Sequence, residues 1–216
     1  MGLFITFEGI EGCGKSTQVG LLATHLEQQR IKVLTTREPG GCPIADAIRR
    51  ILLDPENAAL VPRAELLLYA AARAQHVTEV IQPALKRGMV VICDRFTDAT
   101  LVYQGFGRGL DFELIHPLNQ MATAGVVPDL TLLLDMPPEE GLRRAAQRNT
   151  AAALAHEARF DREPLEFHSK IRRGYLFLAE QEARFRIIDA QGDVAVVARR
   201  IQQVVDDALV SHGLLS

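Results

Sequence analysis

Short apolar runs alternate with longer segments of helical periodicity from one end of the chain to the other. The runs are continuous rather than alternating, which predicts strands that are buried on both faces. They lie at 3–8, 33–36, 89–93, 130–134 and 185–189. Between them, apolar residues recur every three or four positions, as Val19, Leu22 and Leu26 do, which predicts helices. The predicted helices lie at 15–30, 43–53, 62–87, 98–104, 111–124, 138–148, 164–183 and 193–211.

Strands and helices that follow each other in this rhythm are typical of one parallel sheet covered by helices on both faces. We therefore predict an α/β fold with a five-stranded parallel sheet. The chain has 216 residues and shows neither an internal repeat nor a linker, so residues 1–216 are predicted to form a single domain.

Composition and charge exclude several classes of protein. The chain is 48% hydrophobic and 24% charged, as ordinary globular proteins are. Its net charge is −3, so no overall positive field predicts binding to nucleic acid. No apolar run approaches the length of a membrane span and no basic segment precedes the first run, so we expect neither a membrane partner nor a signal peptide. Three cysteines without metal-ligand spacing favour a reducing, cytoplasmic location.

A glycine-rich loop, GIEGCGKS at 9–16, follows the first predicted strand and precedes a predicted helix. This is the strand–GxxxxGK(S/T)–helix pattern of a phosphate-binding P-loop. Its glycines let several backbone N–H groups point at one anion, while Lys15 can reach the outer phosphates and Ser16 can bind Mg²⁺. We therefore predict an ATP site and a fold of the P-loop NTPase type. The residues expected to contact ATP are Gly9, Ile10, Glu11, Gly12, Cys13, Gly14, Lys15, Ser16, Thr17 and Arg148.

Polar residues follow the carboxyl ends of the predicted strands, where ligands bind in open α/β sheets. Arg37 follows the second strand, and Asp94 and Arg95 follow the third. An acid after four apolar residues can hold Mg²⁺ directly or through water, although it could also simply cap a turn. Because a guanidinium fork suits phosphate oxygens, Arg95 is expected near the transferred phosphate. Ser16 and Asp94 are the expected metal ligands.

The segment 143–162 carries five arginines, and we interpret it as a mobile lid, because phosphoryl transfer requires water to be excluded from both substrates. Arg143 and Arg144 are interpreted as part of a solvated helix face. Arg148 is assigned to ATP and Arg159 to catalysis. The P-loop has no basic residue ahead of its lysine, so the lid is the expected source of additional positive charge.

Several segments of the chain resemble the thymidylate kinases, a family of nucleoside monophosphate kinases. They lie at 7–17, 36–41, 69–76, 93–100, 103–105 and 128–131. The resemblance itself covers essentially the whole chain. A P-loop alone indicates only nucleotide binding, whereas TREPGG at 36–41 and DRF at 94–96 are far more specific. The resemblance implies that a homodimer uses ATP and Mg²⁺ to phosphorylate dTMP to dTDP, in the supply of dTTP.

The resemblance also assigns roles to matching positions. Glu11, an acid that a phosphate loop does not need, is expected at the 3′-hydroxyl of dTMP, with Tyr103 beneath the sugar. Tyr69 is expected to stack on thymine, and Arg73 to reach a base carbonyl. The other expected dTMP contacts are Arg37, Arg49 and Arg95 around the phosphate, and Thr100 and Gln104 at the base edge. The residues expected to act in catalysis are Lys15, Asp94, Arg95 and Arg159.

Members of this family carry their catalytic arginine either in the P-loop or in the lid, and this chain resembles the bacterial type with a lid arginine. It departs from that type in one place. The lid pattern Asp-Arg-Phe-Glu is replaced by Ala-Arg-Phe-Asp at 158–161, after about ten extra residues that begin at Asn149.

Three other functions remain open from the residues alone. The chain could be another nucleotide kinase or a small-alcohol kinase. It could be a GTPase-like switch, although no Asn-Lys-x-Asp segment for reading guanine occurs. It could also be an inactive ATP-binding module, although Lys15, Ser16, Asp94 and Arg95 are all present.

Overall fold

The computed structural model describes residues 2–152 and 159–215, and it describes side chains in this part of the chain except at 148–152. The strands are β1 Phe4–Glu8, β2 Val33–Arg37, β3 Val90–Asp94, β4 Leu130–Asp135 and β5 Phe185–Asp189. All five are parallel and form one sheet in the order β2-β3-β1-β4-β5. The predicted five-stranded parallel sheet is therefore confirmed, with every strand within one residue of its predicted bounds.

Helices flank the sheet. The α-helices of the described residues are α1 Lys15–Gln28, α2 Pro43–Leu53, α3 Pro62–His76, α4 Gln82–Lys86, α5 Thr97–Thr100, α6 Phe112–Thr123, α7 Pro138–Ala152, α8 Leu165–Gln181 and α9 Val194–Ser211. Short 3₁₀ turns lie at Pro55–Asn57 and Phe160–Arg162. None of the described helices is both long and apolar enough to span a lipid bilayer.

Two segments that the sequence predicts as continuous α-helix contain wider π-helical turns. One of them, Val77–Ile81, joins α3 to α4 just before Pro83. Pro83 has no N–H to donate to the preceding turn and its ring would clash there, so the wider turn relieves the conflict. The other, Leu101–Gly107, continues α5 and carries Tyr103 and Gln104. Such turns are frequent at functional sites, and local periodicity does not reveal them.

The central strand β1 is buried along its whole length, and its two faces belong to different core clusters. Ile5 and Phe7 lie in the larger cluster together with Leu22 of α1. Phe4 lies in the second cluster together with Ile81. Because β1 has no solvated face, its sequence is a continuous apolar run rather than an alternating pattern.

Strand register brings polar residues to one edge of the sheet. β1 pairs with β3 so that Phe7 lies beside Asp94, and β2 pairs with β3 so that Arg37 also lies beside Asp94. The carboxyl ends of these three strands therefore meet where β1 continues into the P-loop. This is the edge at which open α/β sheets bind their ligands.

The last residue of β1, Glu8, is a carboxyl group with no exposed surface. Its Oε1 accepts a hydrogen bond from the Phe96 N–H at 2.8 Å, and its Oε2 accepts one from the Tyr175 hydroxyl at 2.7 Å. Burial, together with the nearby charge of Asp98, raises the pKa of Glu8 from 4.5 to about 8. Between these two pH values the folded chain therefore retains a proton that the unfolded chain releases.

We expect Glu8→Gln to change how stability depends on pH. In the wild type, the free energy of unfolding should fall as pH rises from 4.5 to about 8, because the folded state holds more protons than the unfolded state. Glutamine does not titrate. The free energy of unfolding of the variant should therefore rise relative to that of the wild type by up to about 1.4 kcal/mol per pH unit. Urea unfolding across this window measures the difference. Glu56→Gln, at an exposed position, is the control, and parallel curves for Glu8→Gln and wild type would contradict the expectation.

Candidate active site

A cavity of about 670 Å³ opens at the carboxyl edge of the sheet. Its volume lies within the range of small-molecule sites. The predicted site residues on its wall are Glu11, Gly12, Cys13, Gly14, Lys15, Ser16, Thr17, Arg37, Arg49, Tyr69, Arg73, Asp94, Arg95, Thr100, Tyr103 and Gln104. The structure therefore brings together most of the residues that the sequence singles out.

The P-loop connects β1 to α1 and needs glycine at two of its turns. Gly14 has a φ of 95° and directly precedes the first residue of α1. Gly12 has a φ of 72°, and a Cβ at this position would lie 1.9 Å from the carbonyl oxygen of Gly141 in α7. A side chain at either position would strain the loop or push it away from α7. The N-terminus of α1 thus adjoins the cavity and contributes the positive end of its dipole.

Lys15 is mostly buried and lies against its own loop. Its Nζ donates to the carbonyl oxygens of Gly9 at 3.0 Å and Ile10 at 2.9 Å. Gly9 and Ile10 were predicted to contact ATP, but they do not line the cavity. Their carbonyl groups instead hold the ammonium group at the cavity wall.

Ser16 and Asp94 join the start of α1 to the end of β3. Ser16 Oγ donates to Asp94 Oδ2 at 2.9 Å. A hydroxyl and a carboxylate are oxygen ligands of the kind that Mg²⁺ takes in proteins. In the part of the chain that the structure describes, no group of three or more His, Cys, Asp or Glu side chains could hold a metal. The pair therefore fits an ion that takes its other ligands from phosphates and water.

Glu11 points into a cluster of three partners. Its Oε1 accepts from Arg95 Nη2 at 3.0 Å and from the Tyr103 hydroxyl at 2.5 Å, and its Oε2 lies 3.1 Å from His168 Nδ1. Burial alone would raise the pKa of Glu11, but the charge of Arg95 and the hydrogen bond with His168 hold that pKa well below its usual value. Glu11 is therefore an ionised acceptor at the cavity wall.

His168 contacts the site through Glu11, and the sequence does not predict this. It lies on α8, 157 positions after Glu11, and its side chain is completely buried. No local motif marks it, because its position next to Glu11 depends on how α8 packs against the P-loop. Within the described residues, its Nε2 has no hydrogen-bond partner.

Arg95 lies at the cavity wall between three aromatic and acidic neighbours. Its Nη2 contacts Glu11 as described above, and its Nη1 donates to the Tyr175 hydroxyl at 3.2 Å. Its guanidinium carbon lies 4.8 Å from the centre of the Tyr103 ring. The guanidinium is thus oriented by contacts on two edges and one face.

Arg73 is almost completely buried, and only 2% of its surface is exposed. It donates to Glu38 Oε2 and Asn119 Oδ1, both at 2.7 Å, and to the Phe96 carbonyl and Thr100 Oγ1, both at 3.0 Å. Arg73 and Thr100, which were predicted as separate base contacts, are therefore hydrogen-bonded to each other. Glu38 and Asn119 were not predicted as site residues, and they fix the orientation of this arginine.

Gln104 and Arg159 share a buried acid. Gln104 Nε2 donates to Glu65 Oε1 at 2.8 Å, and Arg159 Nη2 donates to Glu65 Oε2 at 2.5 Å. Arg159 also donates to the Leu52 carbonyl, and its guanidinium lies over the Phe160 ring. Arg159 is 8% exposed and, unlike the other predicted catalytic residues, does not line the cavity. Local sequence gave no sign of Glu65, which lies 94 positions earlier on α3.

Two other arginines of the predicted lid lie on α7, where the sequence predicts a helix. Arg143 is a solvated side chain that pairs with Glu140 at 2.8 Å. Arg144 pairs with the same glutamate, yet it also lines the cavity, which the interpretation as a solvated face did not anticipate. Arg148 follows on the same helix, and its side chain lies outside the described residues, as do residues 153–158 of the predicted lid.

Arg37 and Arg49 lie at the rim, near the turn after β2. Arg37 Nη2 is 3.7 Å from Asp46 Oδ1, and both side chains are well exposed. Arg49 donates from Nη1 to the Pro39 carbonyl at 2.9 Å. Both guanidinium groups therefore add positive charge on the β2 side of the cavity.

Comparison with known proteins agrees with this geometry. The model of the thymidylate kinase family matches residues 7–201. A thymidylate kinase of Geotalea daltonii is 63% identical over 196 residues, which cover 90% of this chain and 92% of that protein. A thymidylate kinase of Syntrophotalea carbinolica is 56% identical over 214 residues, which cover 99% of both proteins.

A solved structure is also similar. The crystal structure of thymidylate kinase from Ehrlichia chaffeensis has a TM-score of 0.76 and 31% sequence identity to this chain. The match covers 94% of this chain and 98% of that one. Family model, relatives and structure agree over nearly the whole length, and the chain belongs to the thymidylate kinase family.

Proposed function

We propose that this chain transfers the terminal phosphoryl group of ATP to dTMP, forming ADP and dTDP. One observation carries the proposal within the family: the P-loop with Lys15 and the Glu11–Arg95–Tyr103 cluster open onto the same cavity. A donor and an acceptor bound there would have their phosphates at a common point. Phosphoryl transfer depends chiefly on such positioning and on charge neutralisation.

The donor side of the cavity consists of the P-loop and the start of α1. Lys15 would neutralise charge on the outer phosphates, and the loop residues that line the cavity, from Glu11 to Thr17, would surround them. Ser16 and Asp94 would hold Mg²⁺, which when bound would supply positive charge to offset the negative charge of the phosphates. Arg148 is proposed as a further ATP contact because it belongs to the predicted lid, the expected source of additional positive charge.

The acceptor side would orient dTMP from phosphate to base. Arg95, Arg37 and Arg49 would approach its phosphate, and Glu11 would accept a hydrogen bond from the 3′-hydroxyl. Tyr103 would lie beneath the sugar, where its ring disfavours a 2′-hydroxyl. The proposed contacts to thymine are Tyr69, Arg73, Thr100 and Gln104. Apolar faces with a few hydrogen-bonding groups are typical of sites for a flat heterocycle.

The nucleophile is an oxygen of the dTMP phosphate, which is already ionised. The reaction therefore needs no strong general base. The chain instead supplies Lys15 and Arg95 to stabilise the charge that develops on the transferred group, and the lid to exclude water. Arg159 is proposed as the lid arginine of this step, which requires it to leave Glu65.

The chain is also proposed to be a single domain that works as a homodimer in the cytoplasm. Large apolar side chains are exposed on three helices that pack side by side, α2, α3 and α6. They are Ile44, Ile51, Leu67, Leu114 and Met121. An apolar surface of this kind is typical of an interface, and a second copy of the chain is the partner that the resemblance implies. Cell fractionation would test the location.

The acceptor preference tests the proposed function directly. We expect ADP production from ATP and Mg²⁺ to be fastest with dTMP in a panel that also contains dUMP, dCMP, dGMP, AMP and shikimate. Removing the metal with EDTA should stop the reaction, and Lys15→Ala should reduce it to background. Turnover of a different acceptor only would refute the substrate assignment. Failure to use any acceptor would favour a nucleotide-binding switch or module.

Substitution of Arg159 tests the lid assignment. Arg159→Ala should lower kcat by about a thousandfold, as loss of an arginine at the transferred phosphate does. Arg143→Ala is the matched control, because that side chain is solvated, and it should remain within about twofold of wild type. Steady-state kinetics with dTMP measure both. A kcat that stays unchanged while the melting temperature falls would mean that Arg159 only anchors Glu65.

Sedimentation equilibrium tests the homodimer. Leu67→Asp places a charge on the exposed face of α3 and should shift the protein toward monomer. Val210→Asp is the control, since Val210 is 54% exposed on α9, away from the three helices, and should leave the dimer intact. A monomeric wild type, or equal effects of both substitutions, would contradict the proposed interface.

A further inference from the structure

Arg95 has an unusual backbone conformation for a residue with a side chain. Its φ is 72°, in the left-handed region that glycine favours. Such a conformation persists only where the surroundings hold it. The Arg95 N–H donates to the Phe7 carbonyl at 2.9 Å, and the Arg95 carbonyl accepts from Cys93 Sγ at 3.0 Å. The next N–H, that of Phe96, donates to Glu8 Oε1 at 2.8 Å.

Glu8 also reaches the other end of the same residue. Its Oε2 lies 2.7 Å from the Tyr175 hydroxyl, and that hydroxyl accepts from Arg95 Nη1 at 3.2 Å. The carboxyl group of Glu8 thus contacts the backbone directly after Arg95. Through the Tyr175 hydroxyl it also contacts the Arg95 guanidinium. When Glu8 is ionised, Tyr175 donates to it, and when Glu8 is protonated, it can donate to Tyr175. The contact is therefore available in both protonation states.

Neither Glu8 nor Tyr175 can touch a substrate. Glu8 has no exposed surface, Tyr175 is 1% exposed, and neither lines the cavity. The guanidinium of Arg95 does line it, with Glu11 on its other edge and the Tyr103 ring against its face. Without the Tyr175 contact, only Glu11 would hold the edges of the guanidinium, and the group could rotate about that contact.

We propose that Glu8 and Tyr175 are positioning residues for phosphoryl transfer, because they fix Arg95 from its backbone to its guanidinium. The inference rests on the proposed function, in which Arg95 neutralises charge on the transferred phosphate. Transfer is sensitive to placement, since an error of about 1 Å can cost a hundredfold in rate. The buried pair therefore acts on turnover through Arg95.

Tyr175→Phe tests the inference, because it removes only the hydroxyl and keeps the packed ring. We expect kcat with dTMP to fall by about tenfold to a hundredfold, with the KM for ATP unchanged within about twofold. The matched control is Thr6→Val, which removes another buried hydroxyl from the same region, one that contacts Thr131 Oγ1 at 2.9 Å. Thr6→Val should lose stability without losing kcat. Equal kcat values for both variants and wild type would overturn the inference.

A double-mutant comparison shows whether Tyr175 acts through Arg95. Arg95→Ala should lower kcat by itself, and adding Tyr175→Phe to it should cost no more than about a further twofold. Coupling of this kind is expected only if the hydroxyl works by orienting the guanidinium. Losses that multiply in the double variant would mean that Tyr175 affects turnover independently, and this would overturn the inference.

A measurement without substrates separates this inference from the proposed function. The Arg95 Nη–H resonances in ligand-free protein, assigned by their loss in Arg95→Lys, come from the groups that contact Tyr175 and Glu11, and they should be resolved in wild type and in Thr6→Val. The Nη1–H resonances should broaden or exchange faster with water in Tyr175→Phe. An unchanged resonance would overturn the positioning role, even if the wild type proved inactive on dTMP. A wild type that is inactive on dTMP but gives the expected resonances would refute only the proposed substrate.

Discussion

The parallel pairing of β1 with β3 is the constraint on which the site depends. Its register sets Phe7 beside Asp94, so that the P-loop and the Asp94–Arg95 pair leave the sheet at neighbouring points. Both strands are buried, and their backbone groups have no water to replace the hydrogen bonds between them. A shift of register by one residue would turn the side chains of β1 toward the opposite faces of the sheet and disrupt the packing of both core clusters. The sheet, rather than the side chains themselves, therefore fixes how far the P-loop lies from Asp94 and Arg95.

The sequence reveals those features that depend on neighbouring residues. Apolar runs predict the five strands to within one residue, and β5 and α2 have the predicted bounds. The P-loop is predicted from its own residues, since each glycine meets a requirement of the local backbone. Strand ends locate Asp94 and Arg95 because parallel strands must all present their carboxyl ends at one edge. These signals are local, and the parallel order of the strands then brings the residues that carry them to one edge of the sheet.

Partners from distant parts of the chain are not predictable in this way. His168 reaches Glu11 from 157 positions away, Tyr175 reaches Glu8 from 167, and Glu65 reaches Arg159 from 94. Each contact exists only because α8 or α3 packs where it does. The same reason applies to Arg159, which the sequence predicts as a lid arginine but whose contact with the buried Glu65 it does not predict. Periodicity likewise misses the π-helical turn that carries Tyr103 and Gln104.

Arg73 and Arg95 differ in how many hydrogen bonds they already make within the protein, and this difference indicates different roles. A guanidinium has five N–H donors. Among the described residues, Arg73 makes four hydrogen bonds, to Glu38, Asn119, Phe96 and Thr100. One donor of Arg73 therefore remains, which suits a single carbonyl oxygen. Arg95 makes two, to Tyr175 and Glu11, and keeps three donors, enough for a bidentate contact with phosphate. The hydrogen bonds that the protein already makes to each arginine thus suit Arg73 to the base and Arg95 to the phosphate of a nucleotide.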